Sequence, residues 1–179
     1  MKTFNDIDLQ SLEDSKEDYT NNIERKSLQP IYEIVRIKAE RRKLPKKYLS
    51  ENLTDYTVRS PHDFAKIAMK FIGDEDREIF LVACLSTKNQ IQSLHRCHIG
   101  SLNASIVTPR EVFKTAFLQN AASIIVGHNH PSGNCSPSPE DIDVTNRLKE
   151  AGELLGVELL DHLIVCENNF LSLKEKGYM

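Results

Sequence analysis

The sequence predicts an α/β fold in which a mixed β-sheet is flanked by helices. Short, mostly apolar runs have the length and composition of buried strands, and amphipathic segments lie between them. The apolar runs span residues 78–85, 121–127 and 157–165, and the amphipathic segments span residues 60–73, 109–120 and 138–156. Because helices alternate with strands in this order, we expect a sheet with both parallel and antiparallel pairs, covered by the helices.

Two of the predicted helices have well-marked ends. Ser60-Pro61 and Ser138-Pro139 each combine a favourable N-cap residue with a proline at the first helical position. Gly73 and Gly156 end the two apolar patterns. The predicted inner face of the second of these helices comprises Ile142, Leu148, Ala151, Leu154 and Leu155.

Further strands are predicted before and between these elements. Residues 31–38 are rich in β-branched side chains and predict a strand. Residues 91–99 predict a strand after a turn at 86–90, and residues 170–173 predict a short last strand. The chain is therefore expected to contain an acidic, flexible N-terminal extension (1–28), a strand with a basic linker (29–59) and a folded domain (60–179).

The net charge of −3 gives no reason to expect a nucleic-acid binder, but the charge is unevenly spread along the 179 residues. Residues 1–24 hold seven acidic side chains against two lysines, and residues 36–47 hold seven basic side chains against one glutamate. The basic run is typical of a solvated surface segment, and a weak phosphate-binding patch is the other interpretation.

The four cysteines form no CxxC pair. Cys84 and Cys166 lie in apolar, strand-like runs, so we expect them to be small buried hydrophobic residues. The sequence has no apolar stretch near the roughly 18 residues of a membrane span, and its first residues form no apolar signal core. We therefore expect a soluble, cytoplasmic protein with reduced cysteines and no membrane partner.

The chemically most informative segment runs from residue 127 to residue 141. His128 and His130 follow an apolar strand at positions i and i+2, so their imidazoles point to the same side. Asp141 lies on the first turn of the following helix and adds a carboxylate. Two imidazoles and one carboxylate with an open fourth position are typical of a catalytic zinc site.

A zinc-bound water requires a group that moves its proton. Glu78 stands directly before a buried apolar strand and is the candidate, while Glu75 and Asp76 are close rivals. Ser138 has the sequence features of a helix cap, and this role is compatible with metal binding by Asp141.

The spacing His128-x-His130, seven residues, Ser138, two residues, Asp141 resembles the JAMM motif of the JAB/MPN metalloprotease fold. The resemblance to the RadC-like branch covers about residues 60–175 and extends to the segments 102–105, 109–113 and 160–164. It implies a JAB/MPN, cytidine-deaminase-like architecture and a zinc-dependent hydrolase that cleaves a peptide or amide bond. It also implies that His128, His130 and Asp141 bind zinc, that Ser138 hydrogen-bonds the oxyanion and that Glu78 is the general base.

The resemblance leaves three points open. RadC-like proteins carry a DNA-repair label, so a non-catalytic accessory or interaction protein is the alternative function. Cys135 lies between the ligands, where similar sequences carry a small polar residue or proline. It is expected to be a plain loop residue, with a fourth bond to zinc as the other interpretation. His162 is expected to be a structural histidine near the site, with a role in supporting the ligands as the alternative.

Overall fold

The computed structural model of the protein describes residues 56–100 and 107–179. The predictions for residues 1–28, for the strand at 31–38 and for the basic linker up to residue 55 lie outside the described residues. So does the segment 102–105.

Five strands form one mixed sheet in the order β2-β1-β3-β4-β5. The strands are β1 (Ile79–Leu85), β2 (Ile91–Ile99), β3 (Ser123–Asn129), β4 (Glu158–Val165) and β5 (Phe170–Ser172). β1 is antiparallel to both β2 and β3, β3 is parallel to β4, and β5 is antiparallel to β4. The predicted mixed sheet is confirmed, and β3 extends two residues beyond its predicted end.

In the residues that the structure describes, three helices pack on the two faces of this sheet. They are α1 (Pro61–Ile72), α2 (Pro109–Leu118) and α3 (Pro139–Leu155). α1 shares a core with Leu81, Ile125 and Leu163, whereas α2 and α3 share a second core with Val82 and Val126. Neighbouring strand residues belong to different cores because side chains alternate between the faces of a sheet. No helix in the described part of the chain is long and apolar enough to cross a membrane.

The predicted starts of α1 and α3 are confirmed in atomic detail. Ser60 caps α1 and Ser138 caps α3, each with a proline at the start of the helix. In both helices the serine hydroxyl accepts the N–H of an aspartate three residues on, and that aspartate's carboxylate accepts the N–H of the serine. These reciprocal capping boxes, with Asp63 and Asp141, satisfy backbone donors that a helix start leaves open.

The predicted inner face of α3 is partly wrong. Leu148 is buried as expected, but Leu154 is 88% exposed and Leu155 is 42% exposed. The buried face instead contains Asp141, Val144, Thr145, Leu148 and Gly152. At Gly152 the helix approaches its neighbours so closely that a Cβ would lie 2.5 Å from the carbonyl oxygen of Val157. This contact directs the small residue inwards and turns the two leucines towards solvent.

The prediction of four reduced cysteines is also wrong. Cys84 is fully buried and free, as expected, but Cys166 forms a disulfide with Cys135. Cys166 directly follows β4, and the loop that carries Cys135 folds back over this end of the strand. The two Cα atoms are therefore 6.1 Å apart although 31 positions separate them in the sequence.

Candidate metal centre

The structure brings together the three residues predicted to bind metal. His128 lies in β3, His130 directly follows this strand, and Asp141 lies in the first turn of α3. The two Nε2 atoms are 3.0 Å apart, and Asp141 Oδ1 lies 3.1 Å from Nε2 of His128. Asp141 Oδ2 lies 3.6 Å from Nε2 of His130. One ligand atom from each residue lies within 4.8 Å of the others, a group that could hold a metal ion.

A buried chain of hydrogen bonds determines which nitrogen of His128 faces this centre. The Thr145 hydroxyl donates to the carbonyl oxygen of Asp141 at 2.6 Å, so it accepts the Nδ1–H of His162, also at 2.6 Å. Burial lowers the pKa of His162 well below its usual value and keeps the ring neutral. Its Nε2 therefore accepts the Nδ1–H of His128 at 2.9 Å, and Nε2 of His128 keeps a lone pair for a metal.

His130 is oriented by a different partner. Its Nδ1 lies 2.6 Å from the carbonyl oxygen of Asn134, which can only accept a hydrogen bond. Nδ1 therefore carries the proton, and Nε2 of a neutral His130 has its lone pair directed at the centre. The loop that joins the ligands thus controls the orientation of His130, while the sheet and α3 control that of His128.

Asp141 is held as a carboxylate. Burial by itself would raise its pKa, but hydrogen bonds from His128 and His130, which form when no metal is bound and their Nε2 atoms carry protons, lower it. The Ser138 hydroxyl adds to this effect by donating to Oδ2 at 2.7 Å. The hydrogen bond with Asp141 in turn raises the pKa of His130, although partial burial opposes the rise. At neutral pH the centre therefore contains an anionic oxygen beside two imidazoles.

This donor set suits a zinc ion. Two imidazole nitrogens and one carboxylate oxygen are the ligand types of catalytic zinc sites, which leave the remaining position for water or substrate. Lone pairs that face each other at 3.0 Å, as on His128 and His130, repel unless a proton or a cation lies between them. The partners of both Nδ1 atoms come from the protein, as is usual for metal-binding histidines.

The pairing of β1 with β3 places Glu78 near this centre. Phe80 is paired with His128, and the two rings are stacked with centroids 6.3 Å apart. Glu78 lies two residues before Phe80, and His130 lies two residues after His128. In an antiparallel pair these two positions are opposite each other, so Glu78 is directed to the face that carries His130. Consistently, the Glu78 charge contributes to the raised pKa of His130.

The two rival carboxylates have other surroundings. Glu75 forms a 2.9 Å ion pair with Arg96, whose guanidinium also donates to the carbonyl oxygen of Phe71. Asp76 is exposed. Of the three acidic candidates, Glu78 is the one whose charge contributes to the raised pKa of a predicted ligand, His130.

Asn129 is a site residue that the sequence analysis missed. It lies between the two histidines and is fully buried. Because side chains alternate along a strand, its side chain faces the other side of the sheet. Its amide oxygen accepts the N–H of Ile79 at 2.7 Å, and its amide nitrogen donates to the carbonyl oxygens of Arg77 and Glu75 at 2.9 and 3.2 Å. These bonds hold the backbone on both sides of Glu78. The sequence signal that could have identified Asn129 is its position: it is a polar residue at the end of a buried apolar strand, between two predicted metal ligands.

Comparison with known proteins gives one family and a set of similar chains. The family model described as RadC-like JAB domain matches residues 58–178. The UPF0758 protein GWCH70_2550 of Geobacillus sp. (strain WCH70) is 56% identical over 124 residues, and the UPF0758 protein YsxA of Bacillus subtilis (strain 168) is 52% identical over 128 residues. The alignments cover 69% and 72% of this chain but 55% of each relative. The chain thus spans about half the length of these curated relatives, whose names state no activity.

Proposed function

Because the chain belongs to the family of RadC-like JAB domains, we propose that it is a zinc-dependent hydrolase of the JAMM type that cleaves an amide or isopeptide bond. The observation that carries this proposal is the convergence of His128, His130 and Asp141. Their donor atoms lie within 4.8 Å of one another, and hydrogen bonds on both Nδ1 atoms leave both Nε2 atoms able to bind a cation.

In this proposal the two histidines and Asp141 hold the zinc ion. Zinc in such a site acts as a Lewis acid and lowers the pKa of a coordinated water to about 7. The protein supplies the rest of the chemistry through groups that bind and orient the substrate and move protons.

Glu78 is proposed as the general base and acid. Its carboxylate would accept a proton from the attacking water and then deliver it to the nitrogen of the leaving amine. The backbone on both sides of Glu78 is held by Asn129, and the Glu78 carbonyl oxygen accepts the N–H of Gly100 at 2.8 Å. A base held in this way keeps its distance from the ligands through both proton transfers.

Ser138 is proposed to donate a hydrogen bond to the oxyanion that develops on the substrate carbonyl. Its hydroxyl donates to Asp141 Oδ2 in this structure, and the Ser138 N–H binds the same oxygen at 2.7 Å. Rotation of the hydroxyl towards substrate would therefore leave Asp141 with its backbone donor. The start of α3 adds a positive end of the helix dipole beside the developing charge.

Metal content and hydrolysis, measured together on variants, test this proposal. We expect the wild type to bind one zinc ion and to hydrolyse members of an amide and isopeptide library. His128→Ala should lose both properties, whereas Glu78→Gln should keep zinc and lose about 10²–10⁴ in rate. His62→Ala, which removes an exposed histidine of α1 on the opposite face of the sheet, is the control and should behave as the wild type.

Three results would count against the proposal. Full zinc retention by His128→Ala would refute the ligand assignment, and zinc loss by Glu78→Gln would refute the assignment of Glu78 as the base. A zinc-loaded wild type that hydrolyses nothing would favour the alternative, a non-catalytic accessory or DNA-repair-associated protein. For this alternative, the basic segment at residues 36–47 predicts DNA binding that weakens as salt increases.

A further inference from the structure

A disulfide lies within the loop that joins the proposed metal ligands. Cys135 stands between His130 and Asp141 in the chain, and it is bonded to Cys166 at the end of β4. The bond connects an exposed loop to a buried strand end, since residues 131–134 are exposed and Cys166 is only 3% exposed.

The hydrogen bonds of this loop are mostly local. Gly133 N–H donates to the carbonyl oxygen of His130, Asn134 N–H to the hydroxyl of Ser132, and Ser136 N–H to the side-chain oxygen of Asn134. Bonds of this kind shape the loop but do not attach it to the sheet. The disulfide supplies that attachment as a covalent bond.

The residue next to the disulfide is the one that orients His130. The carbonyl oxygen of Asn134 accepts the Nδ1–H of His130 at 2.6 Å, and Asn134 is bonded through its peptide to Cys135. Holding Cys135 therefore holds the carbonyl that fixes the tautomer and direction of a metal ligand. Partners of this kind typically change metal affinity by about 10- to 100-fold when they are lost.

We propose that the Cys135–Cys166 disulfide is a thiol-exchange site through which small dithiols control metal binding by His128, His130 and Asp141. The oxidised protein binds the metal tightly, and reduction frees the loop, releases the Asn134 carbonyl from its position and weakens binding. This inference rests on the metal-binding part of the proposed function and does not depend on hydrolysis.

The exchange is balanced in electrons and protons. One thiolate of the dithiol attacks Sγ of the half-buried Cys135 and displaces the thiolate of Cys166, which gives a mixed disulfide. The second thiol of the reductant then displaces Cys135. Two electrons pass to the protein, the reductant leaves as its own disulfide, and its two protons end on Cys135 and Cys166.

The other two cysteines are poor competitors for this exchange. Burial raises the pKa of Cys84, and burial together with the nearby Glu111 raises the pKa of Cys97 to about 11. Both thiols are therefore protonated at neutral pH and react slowly, because the thiolate is the nucleophile.

Zinc affinity of the full chain, measured against a chelating dye in both redox states, tests the proposal. The reduced sample is prepared with a phosphine that is removed before titration, because dithiols themselves chelate zinc. Thiol counting after denaturation verifies the states: two of the four cysteines, Cys84 and Cys97, are free in the oxidised protein, and all four are free after reduction. We expect reduction to weaken zinc binding about tenfold or more.

Variants separate the disulfide from general effects of reduction. Cys135→Ser should bind zinc as weakly as the reduced wild type and should not respond to reduction, and Cys166→Ser should behave in the same way. Cys97→Ser keeps the pair and should respond as the wild type does. Because Cys135 is only half-buried, its variant tests the proposal even if Cys166→Ser folds poorly.

Equal affinity in the two states would overturn this inference and leave the metal site standing. Tighter binding after reduction would also overturn it, since the freed Cys135 thiolate would then be acting as an additional ligand. If neither state binds zinc, this inference and the proposed function both fail. A redox-dependent zinc site without hydrolysis would support the inference and count against the hydrolase.

Discussion

Replacing Thr145 with valine tests how the buried hydrogen-bond chain prepares His128 for a metal. Valine keeps the shape of threonine but removes the hydroxyl that donates to the Asp141 carbonyl oxygen and accepts the Nδ1–H of His162. Thr145 and His162 are both fully buried, so no solvent replaces the missing acceptor. The Nδ1–H of His162 is therefore left without an acceptor inside the protein.

The magnitude follows from the two states of the site. In metal-free Thr145→Val, His162 can move its proton to Nε2 and donate it to Nδ1 of His128. His128 then carries its own proton on Nε2, beside Asp141. With metal, Nε2 of His128 must be unprotonated, so His162 has to keep its proton on Nδ1 with no acceptor. An unsatisfied buried donor costs about 1–3 kcal/mol, which corresponds to about 5- to 150-fold weaker zinc binding.

Competition titration with a chelating dye measures this difference directly. Thr145→Ser is the matched control, because serine keeps the hydroxyl and should bind zinc within about twofold of the wild type. Wild-type affinity in Thr145→Val would refute the idea that the chain selects the His128 tautomer. Equal losses in Thr145→Val and Thr145→Ser would attribute the effect to packing rather than to the hydroxyl.

Three further substitutions have outcomes that measurements of stability, hydrogen exchange and zinc affinity can check. Asn129→Ala should lower the free energy of unfolding, measured in urea, by about 1–3 kcal/mol for each buried backbone group that is left without a hydrogen-bond partner. It should also speed hydrogen exchange of the Ile79 amide, and unchanged exchange would show that the side chain does not hold this segment. Ser138→Ala should lower the free energy of unfolding by about 1 kcal/mol and should also weaken zinc binding, whereas Ser60→Ala should lower stability alone. Equal zinc affinity in the two variants would show that the Ser138 cap does not influence metal binding by Asp141. Gly152→Ala should cost about 1–3 kcal/mol in thermal unfolding, because the added Cβ would lie 2.5 Å from a backbone oxygen, and a variant as stable as the wild type would contradict this contact.

Local rules were sufficient for much of the fold. Ser60-Pro61 and Ser138-Pro139 mark helix starts correctly because capping uses side chains only three residues apart. The convergence of His128 and His130 also follows from a local rule, the alternation of side chains along an extended strand. These features need no knowledge of what packs against them.

Features that depend on contacts between distant segments could not be predicted from local sequence rules. The exposure of Leu154 results from the contact of Gly152 with the turn before β4, which no helical periodicity contains. The Cys135–Cys166 bond and the Asn129 contacts join segments that are more than 30 positions apart. Their prediction requires the strand order, because β3 lies between β1 and β4.

Access to the candidate metal centre differs between its ligands. The side chain of His128 is 1% exposed and that of Asp141 is 8% exposed, whereas that of His130 is 14% exposed. Solvent therefore reaches the centre mainly from the side of His130 and its loop. An incoming ion or substrate should first meet His130, and exchange rates should respond most to changes in the loop. Substitutions around His128 should instead alter the equilibrium occupancy of the metal site. Kinetic measurements would therefore report on the His130 side of the site, and equilibrium measurements on the His128 side.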